Sequence, residues 1–299
     1  MPEVIILGTM AIDSVETPFG KAPNALGGSA TFASFTSSFF TKPGIVSIIG
    51  IDFPEEHLTL LKNRGISLEG VKKHGKTFRW EGSYEFDMNE AKTKKTELNA
   101  LAEFDPQLPE SYRDANYIFL GNLDPEIHLK VLSQIKNPKL AIMDTMNFWI
   151  QSKKESLLKV IKKVNILLLN DSEARQLFQT PNLVKAANMA LKLGPEAVII
   201  KKGEHGALLF TKEKHFSAPS YPLENIKDPT GCGDSFGGAL IGYLAKTNDH
   251  SEPNLRKAVI YGSVLASFNA EDFSLNRLKT LTHKDIESRY QSIKNIIEF

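Results

Sequence analysis

Only one cysteine, Cys232, occurs in the 299 residues, so neither a disulfide framework nor a thiolate metal cage holds this chain together. No apolar run approaches the ~20 residues needed to cross a bilayer, and no charged segment followed by an apolar one marks a secretory leader. A cytosolic location is therefore expected. Charge of one sign is also lacking: 36 Lys and Arg stand against 35 Asp and Glu, a formal net charge of +1. Nothing of that kind draws the chain to nucleic acid or a membrane, and lysine pairs such as Lys162-Lys163 read as solvated faces. There is no Walker sequence, Gly followed four residues on by Gly-Lys-Ser/Thr, which argues against a P-loop enzyme. No internal repeat or low-complexity tract stands out.

What is present is a composition 41% hydrophobic and 24% charged, enough for one large α/β core and a small accessory element. Short apolar runs at Val4–Gly8, Ile45–Gly50, Tyr117–Gly121, Leu140–Asp144, Ile166–Asn170 and Ala197–Lys201 read as buried strands. Helical patterns follow most of them, around Thr31–Phe40, Glu55–Arg64, Lys154–Lys163 and Leu183–Leu193. That alternation predicts a mostly parallel sheet with right-handed crossovers and helices on both faces. Asp144, Asn170 and the turn before Asp234 fall at or after the carboxyl ends of their runs, the edge at which open α/β sheets bind ligands.

The most informative run is Asp228-Pro229-Thr230-Gly231-Cys232-Gly233-Asp234-Ser235-Phe236-Gly237-Gly238. Phe236, Leu240 and Leu244 recur every four residues, which predicts a helix over Asp234 to Lys246. Gly237, Gly238 and Gly242 weaken its intrinsic propensity and point to an element packed closely against it. Gly231 and Gly233 expose backbone N–H groups at the positive end of that helix, and Asp234 sets a carboxylate beside them. A structural glycine turn and a dinucleotide fingerprint compete with a phosphate site. The fingerprint fails because Phe236 stands where its third glycine should fall. Donors for a migrating anion beside an acid that takes a hydroxyl proton are what phosphoryl transfer requires. A reactive thiol at Cys232 would need a histidine base that no signature identifies, so small size in a tight turn explains it better.

These residues resemble the ribokinase-like, or PfkB, family of carbohydrate and nucleoside kinases. The family signature is close to Asp-Thr-x-Gly-Ala-Gly-Asp, matched at Asp228 to Asp234 with Pro229 for Thr and Cys232 for Ala. Similar runs with those two changes occur in nucleoside-kinase-like branches. The resemblance implies a three-layer α/β/α sandwich, one domain over 1–299, with Asp234 as catalytic base and the amides around Gly231, Cys232 and Gly233 as anion hole. A carboxylate opening a helix is expected to be ionised at neutral pH. Asn170-Asp171-Ser172-Glu173 resembles the family's Asn-x-x-Glu motif, implying Glu173 on magnesium through water and Asn170 near the phosphates; an ordinary capped helix start fits the same residues. Ala25 to Ala33 holds the family's Gly-Gly substrate motif at Gly27 and Gly28, and Asp13 corresponds to the acid that holds substrate hydroxyls. By residue type alone, Asp13 is equally a solvated turn aspartate. Asn147 joins the acceptor side, while Lys201, Gly203, Gly206 and Thr230 belong with the nucleotide, on a segment that a plain hairpin explains equally well.

From Thr77 to Met88 the pattern changes. Phe78, Trp80, Tyr84, Phe86 and Met88 alternate with charged and polar residues, the mark of a half-buried antiparallel strand bent at Gly82. Thr96 to Leu101 is its expected partner across the turn Asn89 to Lys95. In the resembling family such a sheet is a lid, here about 72–102 plus the segment after Asp13, which excludes water and often supplies a homodimer contact. A hairpin packed on its own domain is the plainer reading. The implied reaction moves the γ-phosphoryl of ATP, with Mg2+, to a hydroxyl of a small sugar-like acceptor. A nucleoside acceptor and a catalytically inactive binding protein are the alternatives, and a monovalent cation is a further cofactor that the resemblance admits.

Overall fold

Strands sandwiched between helical layers need apolar side chains on both faces, and the six short runs satisfy this. The computed structural model describes residues 1–298. In chain order the strands are β1 (Val4–Leu7), β2 (Ala11–Thr17), β3 (Gly20–Gly27), β4 (Gly44–Ile49), β5 (Ser67–Lys73), β6 (Arg79–Tyr84), β7 (Ala91–Glu97), β8 (Tyr117–Leu120), β9 (Leu140–Met143), β10 (Ile166–Asn170), β11 (Ala197–Lys201), β12 (Ala207–Thr211) and β13 (His215–Ala218). The helices are α1 (Ser29–Ser37), α2 (Glu55–Asn63), α3 (Glu110–Arg113), α4 (Pro125–Leu132), α5 (Asn147–Ser152), α6 (Lys154–Ile161), α7 (Asp171–Phe178), α8 (Leu183–Leu191), α9 (Cys232–Thr247), α10 (Glu252–Ala270) and α11 (His283–Ile296).

The large sheet runs β13-β12-β11-β10-β9-β8-β1-β4-β5. It is parallel from β5 to β11, and β12 and β13 close it as antiparallel strands. Successive side chains leave opposite faces. Val4 and Ile6 belong to the core on one face, with Phe32 of α1, Leu240 of α9 and Leu255 of α10, whereas Ile5 and Leu7 belong to the core on the other, with Leu157 of α6, Leu177 of α7 and Ala186 of α8. From β1 the chain proceeds outward through β4 to β5 and returns to β8 on β1's other side. The strand order reverses there, which is where an open α/β sheet forms its crevice, at the carboxyl ends.

The smaller sheet, ordered β3-β2-β6-β7, differs from the sequence expectation. β6 stops at Tyr84, because Met88 adopts a left-handed φ of 55° in a turn closed by its N–H to the Glu85 carbonyl (3.0 Å). Phe86 therefore lies outside the strand and is 84% exposed. β6 is antiparallel to β7 but parallel to β2, with its irregularity at Glu81/Gly82, where the bend is expected. Its partner is Ala91–Glu97, not Thr96–Leu101; Asn99–Glu103 is a 3-10 turn, and residues 72 and 73 belong to β5 of the large sheet. β7 reads Ala-Lys-Thr-Lys-Lys-Thr-Glu with almost every residue exposed, so no apolar alternation betrays it. Lys92, Lys94 and Lys95 guard that edge against pairing with another chain. Among the described residues, no helix is long and apolar enough to cross a membrane.

The glycines of α9 let it approach α1. A Cβ on Gly238 would lie 2.5 Å from both Ala33 Cα and Thr36 Oγ1, and one on Gly242 would lie 2.9 Å from Ser37 Cα. We expect Gly238→Ala to destabilise the protein by about 2 kcal/mol, despite a gain of ~1 kcal/mol in helix propensity. A urea midpoint equal to or above that of the native protein would contradict this packing account.

Candidate active site

The turn leading into α9 is fastened from several sides. Asp228, 1% exposed, accepts the Thr230 N–H at 2.9 Å, and Asn269 of α10 donates to the Thr230 carbonyl at 2.7 Å. Gly231 sits at φ 77°, where a side chain is strained, and a Cβ there would run into the Phe32 ring. The Cys232 N–H, grouped above with its neighbours as an anion donor, instead donates to the Pro229 carbonyl at 3.1 Å. This corrects that part of the reading. The N–H groups of Gly231 and Gly233 have no acceptor among the described residues, and they stand at the positive end of a 16-residue helix. Burial pushes the Cys232 thiol up to about 12, and its sulfur lies 3.4 Å from the Ala266 carbonyl, so it carries no thiolate.

Three strand ends bring charged groups to the one that this turn carries. Asp234 opens α9, and Asp144 follows β9 and forms an ion pair with Lys201 at the end of β11. Glu173 is 5% exposed in the first turn of α7. The Asn170 N–H donates to Glu173 Oε2 and the Glu173 N–H donates to Asn170 Oδ1, both at 2.7 Å. The ordinary capping box is thus real, and it holds the Glu173 carboxyl in the acidic cluster. Burial and then the charge of Asp144 raise the Glu173 carboxyl well above the usual range, while Lys201 works against them. Asp234 is pushed up to about 7, by burial first and by Asp144 second. The expectation of a fully ionised acid at neutral pH is corrected accordingly: the helix start is outweighed by desolvation and like charge.

Asp13 is no solvated turn residue. It lies within β2, 6% exposed, and burial followed by the charges of Asp228 and Asp234 raises it to about 7. Its Oδ1 has no partner among the described residues. A side chain on Gly27 would collide with this carboxyl, and Gly28, at φ 96°, passes the Thr9 carbonyl closely, so the paired glycines let backbone approach the acid.

Thr230 Oγ1 donates to the Tyr84 hydroxyl at 3.2 Å, joining the small sheet to the signature turn. The β6–β7 turn reaches the opposite side of the crevice: a Cβ on Gly203 would lie 3.5 Å from Asn89 Oδ1. Gly203 opens the 3-10 turn between β11 and β12, and Gly206 turns the chain at φ 80°. Asn147 begins α5, with no hydrogen bond from its side chain to the cluster among the described residues. The sequence placed Asp144 at the ligand-binding edge without a specific role, and assigned none to Asp228, Asn269 or Tyr84. Asp144, an acid closing an apolar strand, carried a readable signal; Asn269 lies inside a continuous helical pattern and carried none.

A family model described as pfkB family carbohydrate kinase matches residues 23–280. A cytidine kinase of Thermococcus kodakarensis is 28% identical over 250 residues, which cover 81% of this chain and 89% of that protein. Among solved structures, the nucleoside kinase of Methanocaldococcus jannaschii superposes with a TM-score of 0.77 at 22% identity, covering 97% of this chain and 98% of its own. An Arabidopsis thaliana ribokinase complexed with ribose and ATP gives a TM-score of 0.76 at 17% identity, with coverages of 97% and 99%. The two structural matches speak to the ribokinase fold.

The buried acids have a measurable signature. Asp234 has a folded pKa of about 7, above the 3.8 of an ordinary aspartate. Its linked stability is therefore fully present below the lower value and lost as pH rises through the upper one. Asp234→Asn should accordingly raise the unfolding free energy by about 2–4 kcal/mol at pH 8.5 and by only about 1 kcal/mol near pH 4.5. Chemical denaturation at both pH values checks this, and a gain independent of pH would refute it.

Proposed function

Because the chain belongs to the pfkB family of carbohydrate kinases, we propose that it uses ATP and Mg2+ to phosphorylate a hydroxyl of a ribose-bearing nucleoside. The observation that carries this reading is the convergence of two buried carboxyls, Asp13 and Asp234, with the two unengaged N–H groups of Gly231 and Gly233. Asp13, with Gly27 and Gly28 beneath it and Asn147 across the crevice, holds vicinal hydroxyls; its unpartnered Oδ1 is the acceptor they require. Asp234 then faces the attacking hydroxyl. A carboxyl near neutrality matches a general base better than an ordinary aspartate does.

The residues fit the two cofactors. The carboxyls of Asp144, Glu173 and Asp234 outnumber the ammonium of Lys201, and a hydrated dication would favour their ionised forms. A magnesium ion would be held through its waters by Glu173, with Asn170 beside it. When bound, the metal neutralises phosphate charge. Gly231 and Gly233 receive charge on the migrating group, Thr230 and Asn170 flank it, and the Gly203–Gly206 turn borders the nucleotide. The small sheet, which carries Asp13 on β2, acts as a lid over the acceptor, anchored through Tyr84 and Asn89. A homodimer through this lid would use β3 or a sheet face, since the β7 edge is lined with lysine.

Trp80 favours a nucleoside over a free sugar. It pairs in register with Asp13 on β2, so both side chains leave the same face, and its ring lies across Gly82, where a Cβ would collide with it. An aromatic surface beside the hydroxyl-holding acid suits a base attached to ribose. A free sugar or cyclitol, the sequence-based expectation, uses the Asp13 half and leaves Trp80 idle.

A screen of nucleosides, sugars and cyclitols with ATP and Mg2+ should give kcat/KM values for the best nucleoside about 100-fold above free ribose. Asp234→Asn should lower kcat by about 10³-fold or more with ATP affinity little changed. Preference for a free sugar would overturn the nucleoside assignment, and near-native turnover by the variant would remove Asp234 as base.

A further inference from the structure

Lys201 does more than its place on a nucleotide-side hairpin implies. It ends β11 directly beside Asn170, its register partner on β10, and its side chain is 16% exposed. The ammonium carries three protons, of which one engages Asp144 Oδ2; the others have no acceptor among the described residues. It also lies against the signature turn. A Cβ on Gly233 would be 3.0 Å from Lys201 Nζ and 3.9 Å from Asp144 Oδ2. Gly233 is not in the left-handed region, so backbone freedom does not account for glycine there; the missing side chain leaves room for the ion pair. The amide donors of the turn and an ammonium with unused protons thus border one space, in a setting poor in water.

We propose that Lys201 is a catalytic residue, donating from its ammonium to an oxygen of the transferring phosphoryl group, with Asp144 fixing its position. This rests on the kinase reading above. In the step, the acceptor oxygen bonds to phosphorus as the bond from phosphorus to the bridging oxygen of the nucleotide breaks. The electron pair of that bond leaves with the diphosphate, and the acceptor's proton passes to Asp234. Lys201 gains and loses no proton; its fixed charge favours the phosphoryl group in transit over both end states, and a preorganised donor in a dry site is effective for that reason. The ion pair to Asp144 keeps the ammonium from folding onto Asp234 or Glu173.

The test uses the full chain with Lys201→Met, Lys201→Arg and the charge-balanced pair Lys201→Met with Asp144→Asn. The balanced pair removes the buried orphan carboxylate that Lys201→Met alone would leave. Thermal unfolding first identifies folded variants. Calorimetry with Mg2+ then measures the affinity for β,γ-imido-ATP relative to ADP, a readout needing no turnover. We expect the balanced pair to fold, to lose about 100-fold or more in kcat with acceptor KM within about threefold, and to lose about tenfold of its preference for the imido nucleotide. Lys201→Arg should retain that preference, because the charge survives. A folded balanced pair with native preference, or with kcat within about fivefold of native, overturns the assignment. If the native protein phosphorylates no acceptor in the screen, the kinase reading falls, while the nucleotide preference still decides for or against Lys201.

Discussion

The carboxyls of Asp144, Glu173 and Asp234 share a single ammonium, that of Lys201, with Asp13 buried beside Asp234, and the organisation of the site follows from that withdrawal of like charge from bulk water. Burying like charges is unfavourable unless each is hydrogen-bonded, paired or protonated. All three solutions appear. Asp144 is paired with Lys201, Glu173 takes the Asn170 N–H, and Asp13 and Asp234 are shifted towards neutrality. The residual charge imbalance makes the site receptive to a hydrated cation and sets an acid of suitable basicity beside a hydroxyl. The same desolvation that disfavours the empty fold is thus the source of the chemistry.

Holding these groups together falls to backbone more than to side chains. Gly231 supplies the left-handed bend, Asp228 and Asn269 fasten it, and the glycine face of α9 sets the helix against α1. Because α9 begins at the signature turn, its depth in the core fixes where Asp234 stands. The packing of Gly238 on Ala33 is therefore a determinant of the site, although it lies a full turn away from the acid.

The small sheet joins both sides of the crevice without a large buried core of its own. Tyr84 touches the signature turn and the β6–β7 turn approaches Gly203, so the element that covers the acceptor side also meets the nucleotide side. Its aromatic strand was legible through period-two alternation. β7 was not, since an exposed edge strand of lysine and threonine has no apolar face to display. The pairing of β2 with β6 in parallel was hidden as well, because strands distant in sequence carry no mark of their mutual direction.

The amino-acid sequence by itself determined the six buried strands, the order of helices between them and the signature turn, because hydrophobic periodicity and glycine placement act locally along the chain. It also located Asp13, Glu173 and Asp234 through a family pattern. Tertiary structure alone decided which amide of the turn is already bonded, that Lys201 meets Asp144, and that Asp13 and Asp234 sit near neutrality. These are properties of groups converging from separate strand ends, where burial and summed charge, absent from any one segment, set hydrogen bonding and ionisation.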